Sequence, residues 1–157
     1  MSAKFLVSNT QSNGGALSLN VYLNKEKMYE IKQCIEPNYE FDFDISEHSE
    51  IHFVVGNKQP HYTVVDNGEI VKDTFLKIED IQINNHSVID SVNLFSNYYT
   101  EHNGVLRTNG FLTFNGAYVF KLRYPLSRHL VLCEYYTPAK WISNKSYKML
   151  NIGSQNL

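Results

Sequence analysis

Apolar and polar residues alternate along much of this chain, and this period of two restricts the fold more than any other feature. Within YEFDFDI, residues 39–45, every odd position is apolar and every even position is acidic. Similar runs occupy residues 17–23, 51–55 and 118–124, while residues 129–136 begin apolar on both faces, as a central strand would. Because successive side chains of an extended segment point to opposite faces, each alternating run predicts a strand with one buried face.

Turn-forming residues separate these runs at short intervals. Asparagine and glycine accept positive φ and favour tight hairpins, so short strands punctuated in this way predict an antiparallel β-sandwich or barrel. The predicted turns are Asn13-Gly14-Gly15, Asn24-Lys25, Gly56-Asn57, Asp66-Asn67-Gly68, Asn84-Asn85, Asn103-Gly104, Asn109-Gly110 and Asn115-Gly116. Apolar residues at i, i+4 and i+7 make residues 88–95 the one candidate for a short helix.

One alternating run changes phase halfway along. In KDTFLKIEDIQINN, residues 72–85, Leu76 is even-numbered whereas Ile81 is odd-numbered. A phase change within one strand requires one extra residue, which is a β-bulge, and Glu79-Asp80 is its predicted position. Bulges bend strands and allow them to cross between the two layers of a sandwich, so this run predicts a jelly-roll-like sandwich with a crossing strand.

The length of the chain predicts one domain. At 157 residues, 43% hydrophobic and 19% charged, the chain is globular and long enough to bury a core without a disulfide or metal. We expect one β-sandwich domain at residues 1–142 and a C-terminal tail or docking arm at residues 143–157. The first residues contain no signal-peptide core, so we expect a protein that stays in the cytoplasm where it is made unless it leaves inside a larger particle.

Charge is distributed unevenly along the sequence. Residues 1–103 contain 7 basic and 15 acidic side chains, residues 104–157 contain 7 and 1, and the net charge is −2. A net charge this small disfavours nucleic-acid binding through bulk electrostatics. The asymmetry predicts either complementary faces that attract a neighbouring subunit or pairing of the two halves within the sandwich.

Motifs for catalysis are missing from the sequence. It has no G-x-S-x-G nucleophile elbow and no phosphate-binding glycine loop. His48 and His52 would lie about 13 Å apart on a strand, which is too far for a shared zinc ion. Cys133 falls in an apolar strand, as expected for an inert buried thiol. A disulfide between Cys34 and Cys133 is the alternative that the sequence allows. We therefore predict a protein that binds and does not catalyse.

Aromatic residues near predicted loops are the candidates for binding. The chain contains 11 Tyr, 9 Phe and 1 Trp, and aromatic faces serve both sugar stacking and protein interfaces. The alternative is that these side chains line the core or a sheet edge. The predicted binding residues are Tyr98, Tyr99, Tyr135, Tyr136 and Trp141.

The N-terminal half resembles a known family, the small β-sandwich modules that bind xylan through calcium. These modules have a glycine-rich opening, a central strand followed by Asn-Asp, a loop, and a stretch similar to D-R-N-L-x-V-D-x-I-x-V-x-G. Residues 14–85 contain GGALSLNVYLNKEKMYEIK, IHFVVGNK, QPHYTVVDNGEIV and DTFLKIEDIQINN in that order. Asp73 matches the Asp of the family pattern, Leu76 its Leu and Glu79 its second acidic residue, while Asn85 stands in place of Gly.

The resemblance implies a carbohydrate ligand and a calcium ion. Asp66, Asp73 and the carbonyl groups of the loop between them are the ligands that it suggests. Calcium takes six to eight oxygen ligands, several of them carboxylates. This chain departs from the family at Asn57-Lys58, where a cation replaces the aspartate of Asn-Asp.

The chain as a whole is also similar in style to small structural proteins of tailed bacteriophages. That likeness implies a structural or surface component of a virion, in capsid decoration or in a tail, with other subunits as partners and assembly in the host cytoplasm. Our leading hypothesis is this virion component, built on a carbohydrate-binding type of sandwich. The alternative is a calcium-dependent carbohydrate-binding module that recognises a glycan. Neither hypothesis involves nucleic acid or a membrane.

Overall fold

The computed structural model describes residues 1–89 and 96–122, which form an antiparallel β-sandwich of jelly-roll-like organisation. The strands, in chain order, are β1 (Ser2–Thr10), β2 (Ser18–Leu23), β3 (Glu26–Ile31), β4 (Asn38–Asp44), β5 (Glu50–Gly56), β6 (Val64–Asp66), β7 (Glu69–Lys72), β8 (Phe75–Ile83), β9 (His86–Ser87), β10 (Ser96–Thr100), β11 (Val105–Leu106), β12 (Phe111–Leu112) and β13 (Gly116–Lys121). A 3₁₀ turn at Pro60–Tyr62 precedes β6.

Two sheets form the layers of the sandwich, and a separate hairpin extends from them. The first sheet has five strands in the order β12-β8-β1-β4, with β9 paired to β8. The second has six, in the order β11-β10-β13-β5-β2-β3, and β6 and β7 pair only with each other. Every pairing among these strands is antiparallel, which confirms the predicted fold class.

Aromatic rings from the two sheets meet in the core. The ring centroid of Phe5 on β1 lies 5.0 Å from that of Phe53 on β5 and 5.7 Å from that of Phe120 on β13. Phe41 on β4 also contacts Phe53, at 5.7 Å. Tilted and edge-to-face pairs of this kind add to the free energy gained from burying the rings. Phe41, Phe53 and Phe120 belong to the alternating runs of the sequence, and their burial confirms the predicted inward faces.

The β-bulge lies where the sequence predicts it. Along β1, Leu6 pairs with Asp80 and Val7 pairs with Ile78, which leaves Glu79 as the extra residue of β8. The aliphatic residues on either side of it all face the core and are at most 1% exposed, namely Leu76, Ile78, Ile81 and Ile83.

The predicted crossing of this strand between sheets is wrong. β8 remains beside β1 from the Phe75–Thr10 pair to the Ile83–Ala3 pair. The extra residue restores the inward orientation of the second half of the strand, so the change of phase in the sequence produces no change of face.

The predicted turns are confirmed by the backbone. Positive φ occurs at Asn residues in the predicted turns, at positions Asn13, Asn24, Asn57, Asn67, Asn84, Asn85 and Asn109. Asparagine tolerates this left-handed conformation better than most residues, because its short polar side chain bonds locally to the backbone.

Several expectations fall wholly or partly on residues 90–95 and 123–157, which lie outside the described residues. They are the rest of the candidate helix, the strand at 129–136, the boundary at residue 142 and the tail at 143–157.

Cys34 is a free, buried cysteine, and burial raises the pKa of its thiol to about 11. Among the described residues, no helix is long and apolar enough to cross a membrane.

Candidate functional site

A cleft opens at one end of the six-stranded sheet. Gly116 at the start of β13 pairs with Val55 near the end of β5 and with Thr100 at the end of β10, so the loops attached to these strands come together. They enclose a volume of 340 Å³. The lining comes from four parts of the chain, residues 58–63, 70–73, 101–103 and 113–115.

The cleft combines apolar surfaces with polar groups. Pro60, Ile70 and Phe114 supply the apolar part, and residues Ile70 and Phe114 are 65% and 38% exposed. Polar side chains stand around them, namely Gln59, Thr63, Glu101, His102, Asn103 and Thr113. Ligand sites in proteins generally have this composition, in which apolar contacts supply affinity and a few polar groups set orientation.

Tyr98, a core residue, fixes the backbone of Phe114. The Tyr98 ring is buried on β10, and its hydroxyl donates a hydrogen bond to the carbonyl of Phe114. The backbone N–H of Phe114 donates to the same hydroxyl at 3.1 Å. Burial raises the pKa of Tyr98 far above its usual value, so the hydroxyl stays protonated and keeps this donor. The loop that presents Phe114 is therefore anchored to the core.

Two residues near the N-terminus contact the 3₁₀ turn that contributes Pro60 to the cleft. A Cβ atom on Gly15 would lie within 2.7 Å of the Tyr62 ring, so the ring packs closely over a position where only glycine fits. Asn13 donates from Nδ2 to the carbonyl of His61 at 2.9 Å. Both contacts fix the 3₁₀ turn that contains Pro60, and they give the Asn13-Gly14-Gly15 stretch a role beyond its turn.

Lys58 connects three of the segments around the cleft. Its Nζ contacts Asp73 Oδ1 and the carbonyl oxygen of Thr74. Its backbone N–H donates to Asn115 Oδ1 at 2.7 Å, and Asn115 Nδ2 donates back to the Lys58 carbonyl at 3.2 Å. The side chains of Lys58 and Asp73 are 10% and 15% exposed, so this ion pair is largely shielded from water.

The rim of the cleft between β10 and β11 is a compact loop closed by Thr100. The Thr100 hydroxyl donates to the carbonyl of Gly104 at 2.7 Å and accepts from the N–H of Asn103 at 2.9 Å. Glu101 and His102 project from this loop, with 3.9 Å between the carboxylate and the imidazole and most of each side chain exposed. Their polar groups are therefore free to contact a ligand.

The structure separates the two tyrosines that the sequence placed together. The prediction for Tyr98 is corrected, because a ring that is 1% exposed cannot contact a ligand and instead supports the cleft. Tyr99 points to the opposite face of β10, is 43% exposed and lines a shallow hollow beside Ala117. The remaining predicted residues, Tyr135, Tyr136 and Trp141, lie outside the described residues.

The surroundings of the predicted calcium ligands do not suit a calcium ion. Asp73 lines the cleft, but the ammonium group of Lys58 is in contact with its carboxylate. Asp66 is exposed at the tip of the β6–β7 hairpin and does not line the cleft. In residues 1–89 and 96–122, no three His, Cys, Asp or Glu side chains are grouped so that they could hold a metal ion.

Sequence reasoning did not find Phe114, Ile70 or Pro60. Each belongs to a different loop or hairpin, and only the pairing of distant strands brings them to one cleft. The available signal was Phe114 itself, a large aromatic residue directly before the Asn115-Gly116 turn, where an apolar side chain has no strand face to cover.

Comparisons with known proteins give two structural likenesses. No protein-family model and no curated protein matches the chain. One similar structure is vCBM60 in complex with galactobiose, at a TM-score of 0.49 and 13% identity over 77% of this chain and 98% of that chain.

The second is a selenomethionine form of vCBM60, described with a circular permutation that links two families of calcium-dependent carbohydrate-binding modules. Its TM-score is 0.48 at 14% identity, over 76% of this chain and 89% of that chain. Likenesses at this level assign neither a family nor a ligand to this chain.

Proposed function

We propose that this protein is a non-catalytic binding protein whose cleft recognises a neutral oligosaccharide. The observation that carries the proposal is Phe114, a partly exposed aromatic residue whose backbone forms two hydrogen bonds with a buried tyrosine and whose side chain lines the cleft among polar side chains. A sugar ring presents an apolar face of C–H groups and an edge of hydroxyl groups. The first suits the Phe114 ring, and the second suits the amides of Gln59 and Asn103 and the carboxylate of Glu101.

Charge in the cleft favours a neutral sugar over an acidic one. The charges of Lys58 and Asp73 offset each other in their ion pair. Among the described residues that line the cleft, Glu101 then leaves a negative charge. A uronic acid or a sulfated sugar would be repelled by that carboxylate.

The carboxylates of the cleft support binding rather than hydrolysis. Glycoside hydrolysis requires two carboxyl groups on either side of the scissile bond, one of them acting as an acid and the other as a base or nucleophile. Glu101 and Asp73 are the carboxylates that line the cleft, and Asp73 is engaged by Lys58 Nζ, Thr63 Oγ1 and the N–H of Thr74. These contacts join neighbouring segments of the cleft wall, which favours a structural role for Asp73.

The test is calorimetric titration with a panel of neutral and acidic oligosaccharides. Replacing Phe114 by alanine should weaken binding of the best neutral ligand roughly tenfold or more, because loss of one stacking contact of about 1.4 kcal/mol has that effect. Phe111→Ala is the matched control, since Phe111 is 37% exposed but lines no part of the cleft. Equal losses in both variants, or no binding of any neutral sugar by the native chain, would contradict the proposal.

A second candidate function is that of a subunit in a larger assembly, such as a virion. The observation that favours it is the β6–β7 hairpin, which exposes Val65, Ile70 and Val71 at 58%, 65% and 54%. Exposed aliphatic groups concentrated on one short hairpin are typical of a protein contact, and both strands pair only with each other in the described part of the chain. A neighbouring copy of the same chain is the partner we propose.

Sedimentation velocity over a range of protein concentrations tests this second candidate. The native chain should associate, and a Val65→Lys, Val71→Lys double variant should remain monomeric because its charged hairpin resists burial. Val105→Lys is the control, since Val105 is 59% exposed and belongs to β11, not to the hairpin. A native chain that stays monomeric at every concentration removes this candidate.

A further inference from the structure

We propose that the Lys58 ammonium group has the structural role that a bound calcium ion would have, which is to link segments of the cleft wall. The cleft therefore keeps its shape without calcium. The role of Lys58 in holding the cleft together is independent of the proposed function. Only the identity of the ligand rests on that function.

The contacts of Lys58 Nζ are those of a cross-linking cation. Its two oxygen partners, Asp73 Oδ1 and the Thr74 carbonyl, belong to the segment between β7 and β8. The backbone of Lys58 belongs to the segment after β5, and the Asn115 amide ties that backbone to the loop before β13. The positive charge therefore joins the segment after β5 to the segment between β7 and β8, and the backbone of the same residue joins the loop before β13.

One oxygen of Asp73 accepts three contacts in this arrangement. Besides Lys58 Nζ, its Oδ1 accepts from Thr63 Oγ1 at 2.7 Å and from the backbone N–H of Thr74 at 2.9 Å. The Thr74 side chain continues the network inward, because its hydroxyl donates to the carbonyl of Ser12 at 3.0 Å and accepts from the Ser12 N–H at 2.8 Å. The network thus reaches from the cleft to the buried N-terminal segment.

Electrostatics makes the ammonium and a calcium ion mutually exclusive. A calcium ion prefers several carboxylate and carbonyl oxygens as ligands. Here the ammonium group of Lys58 already contacts the Asp73 carboxylate and the Thr74 carbonyl. Removing the ammonium leaves the Asp73 carboxylate largely buried without its counter-charge, which is strongly destabilising. Replacing it by a carboxylate places two acids beside the Thr74 carbonyl, a set of oxygens that favours a divalent cation.

Thermal unfolding with excess chelator or excess calcium chloride tests the inference without any sugar. The native midpoint should be the same in both solutions. Lys58→Asp should unfold at a lower temperature in chelator and regain several degrees in calcium. Lys58→Met should be destabilised equally in both. Lys32→Asp, the same charge reversal at an exposed site outside the cleft, should show no calcium response.

Two results would overturn the inference. One is a native midpoint that rises with calcium and falls with chelator. The other is a Lys58→Asp variant that responds to calcium no more than Lys32→Asp does. Should Lys58→Asp fail to fold in chelator, its refolding yield on adding calcium provides the same readout, and the native comparison decides the question independently.

Failure of this inference is distinguishable from failure of the proposed function. If the native chain binds sugar and loses that binding in chelator, the inference is contradicted and the proposed function is supported. An absence of sugar binding, combined with an unchanged native midpoint and a calcium-responsive Lys58→Asp variant, removes the proposed function and supports the inference.

Discussion

At the scale of single residues, the strand face that a side chain occupies decides its role. Tyr98 and Tyr99 are neighbours of identical chemistry, yet one is buried beneath the cleft and the other is exposed on the outer face. Alternation in the sequence indicates that the two must point to opposite sides. It does not indicate which of them points inward, because that depends on β13, the strand that pairs with β10.

Glu50 gives a prediction at this scale, concerning the pH dependence of stability. Its carboxylate accepts from Lys121 Nζ at 2.8 Å and also contacts His52 Nε2. The hydrogen bond from Lys121 is the largest cause of a lowered Glu50 pKa, followed among the lowering effects by the hydrogen bond from His52. A carboxyl group with a lower pKa in the folded chain stabilises the fold at pH values above its unfolded pKa. That stabilisation disappears as the pH falls through the folded pKa.

Replacing Glu50 by glutamine should therefore cost about 0.5–1 kcal/mol at neutral pH, the usual range for a partly exposed ion pair. The cost should diminish below about pH 4, near the pKa of an unperturbed glutamate, as the native carboxylate becomes protonated. Urea unfolding between pH 3 and about pH 7 measures the difference in this range. Glu47→Gln is the control, because Glu47 forms no ion pair within the described residues. A Glu50→Gln cost that stays constant with pH would contradict the assignment.

At the scale of elements, the bulge in β8 shows how a local irregularity preserves a global pattern. Glu79 is held in place by the Ser8 hydroxyl, which donates to Oε1 at 2.7 Å, and by Lys77 Nζ at 2.7 Å from Oε2. Hydrogen bonds from Lys77 and Ser8, in that order, lower the Glu79 pKa. The bulge and its position were predictable, since any strand that keeps one face buried must absorb a phase change in this way.

Deletion of Glu79 tests this reading directly. Without it, residues 76–83 read LKIDIQI, which alternates regularly and keeps all four aliphatic residues facing inward. Because Val7 still pairs with Ile78 and Leu6 with Asp80, the register on both sides of the deletion is preserved. The deletion variant should fold with a loss of about 1–3 kcal/mol, the common range for a single change.

Deletion of Lys77 is the matched comparison. It shifts Leu76 by one position relative to β1 and turns that side chain toward solvent. This variant should be much less stable than the Glu79 deletion, as urea unfolding would show. Equal losses from the two deletions would mean that Glu79 is not the extra residue of the strand.

At the scale of the whole molecule, the sequence predicts the framework better than the site. The alternation of residues 39–45 and 51–55 and the Asn turns are local signals, and the sandwich follows from them. The cleft depends on contacts such as Lys58 with Asn115, which are 57 positions apart and visible only once the strands pair. The sequence shows the departure from the family pattern at Asn57-Lys58. The structure is needed to show that Lys58 pairs with Asp73.

Amide chemical-shift mapping during titration with a neutral oligosaccharide tests the central claim most directly, namely that this cleft is the binding site. We expect the largest shifts at Gln59, Asn103 and Phe114, with or without chelator. Shifts concentrated around Tyr99 on the outer face of β10, or the absence of any saturable shift across a broad panel of neutral sugars, would contradict the account.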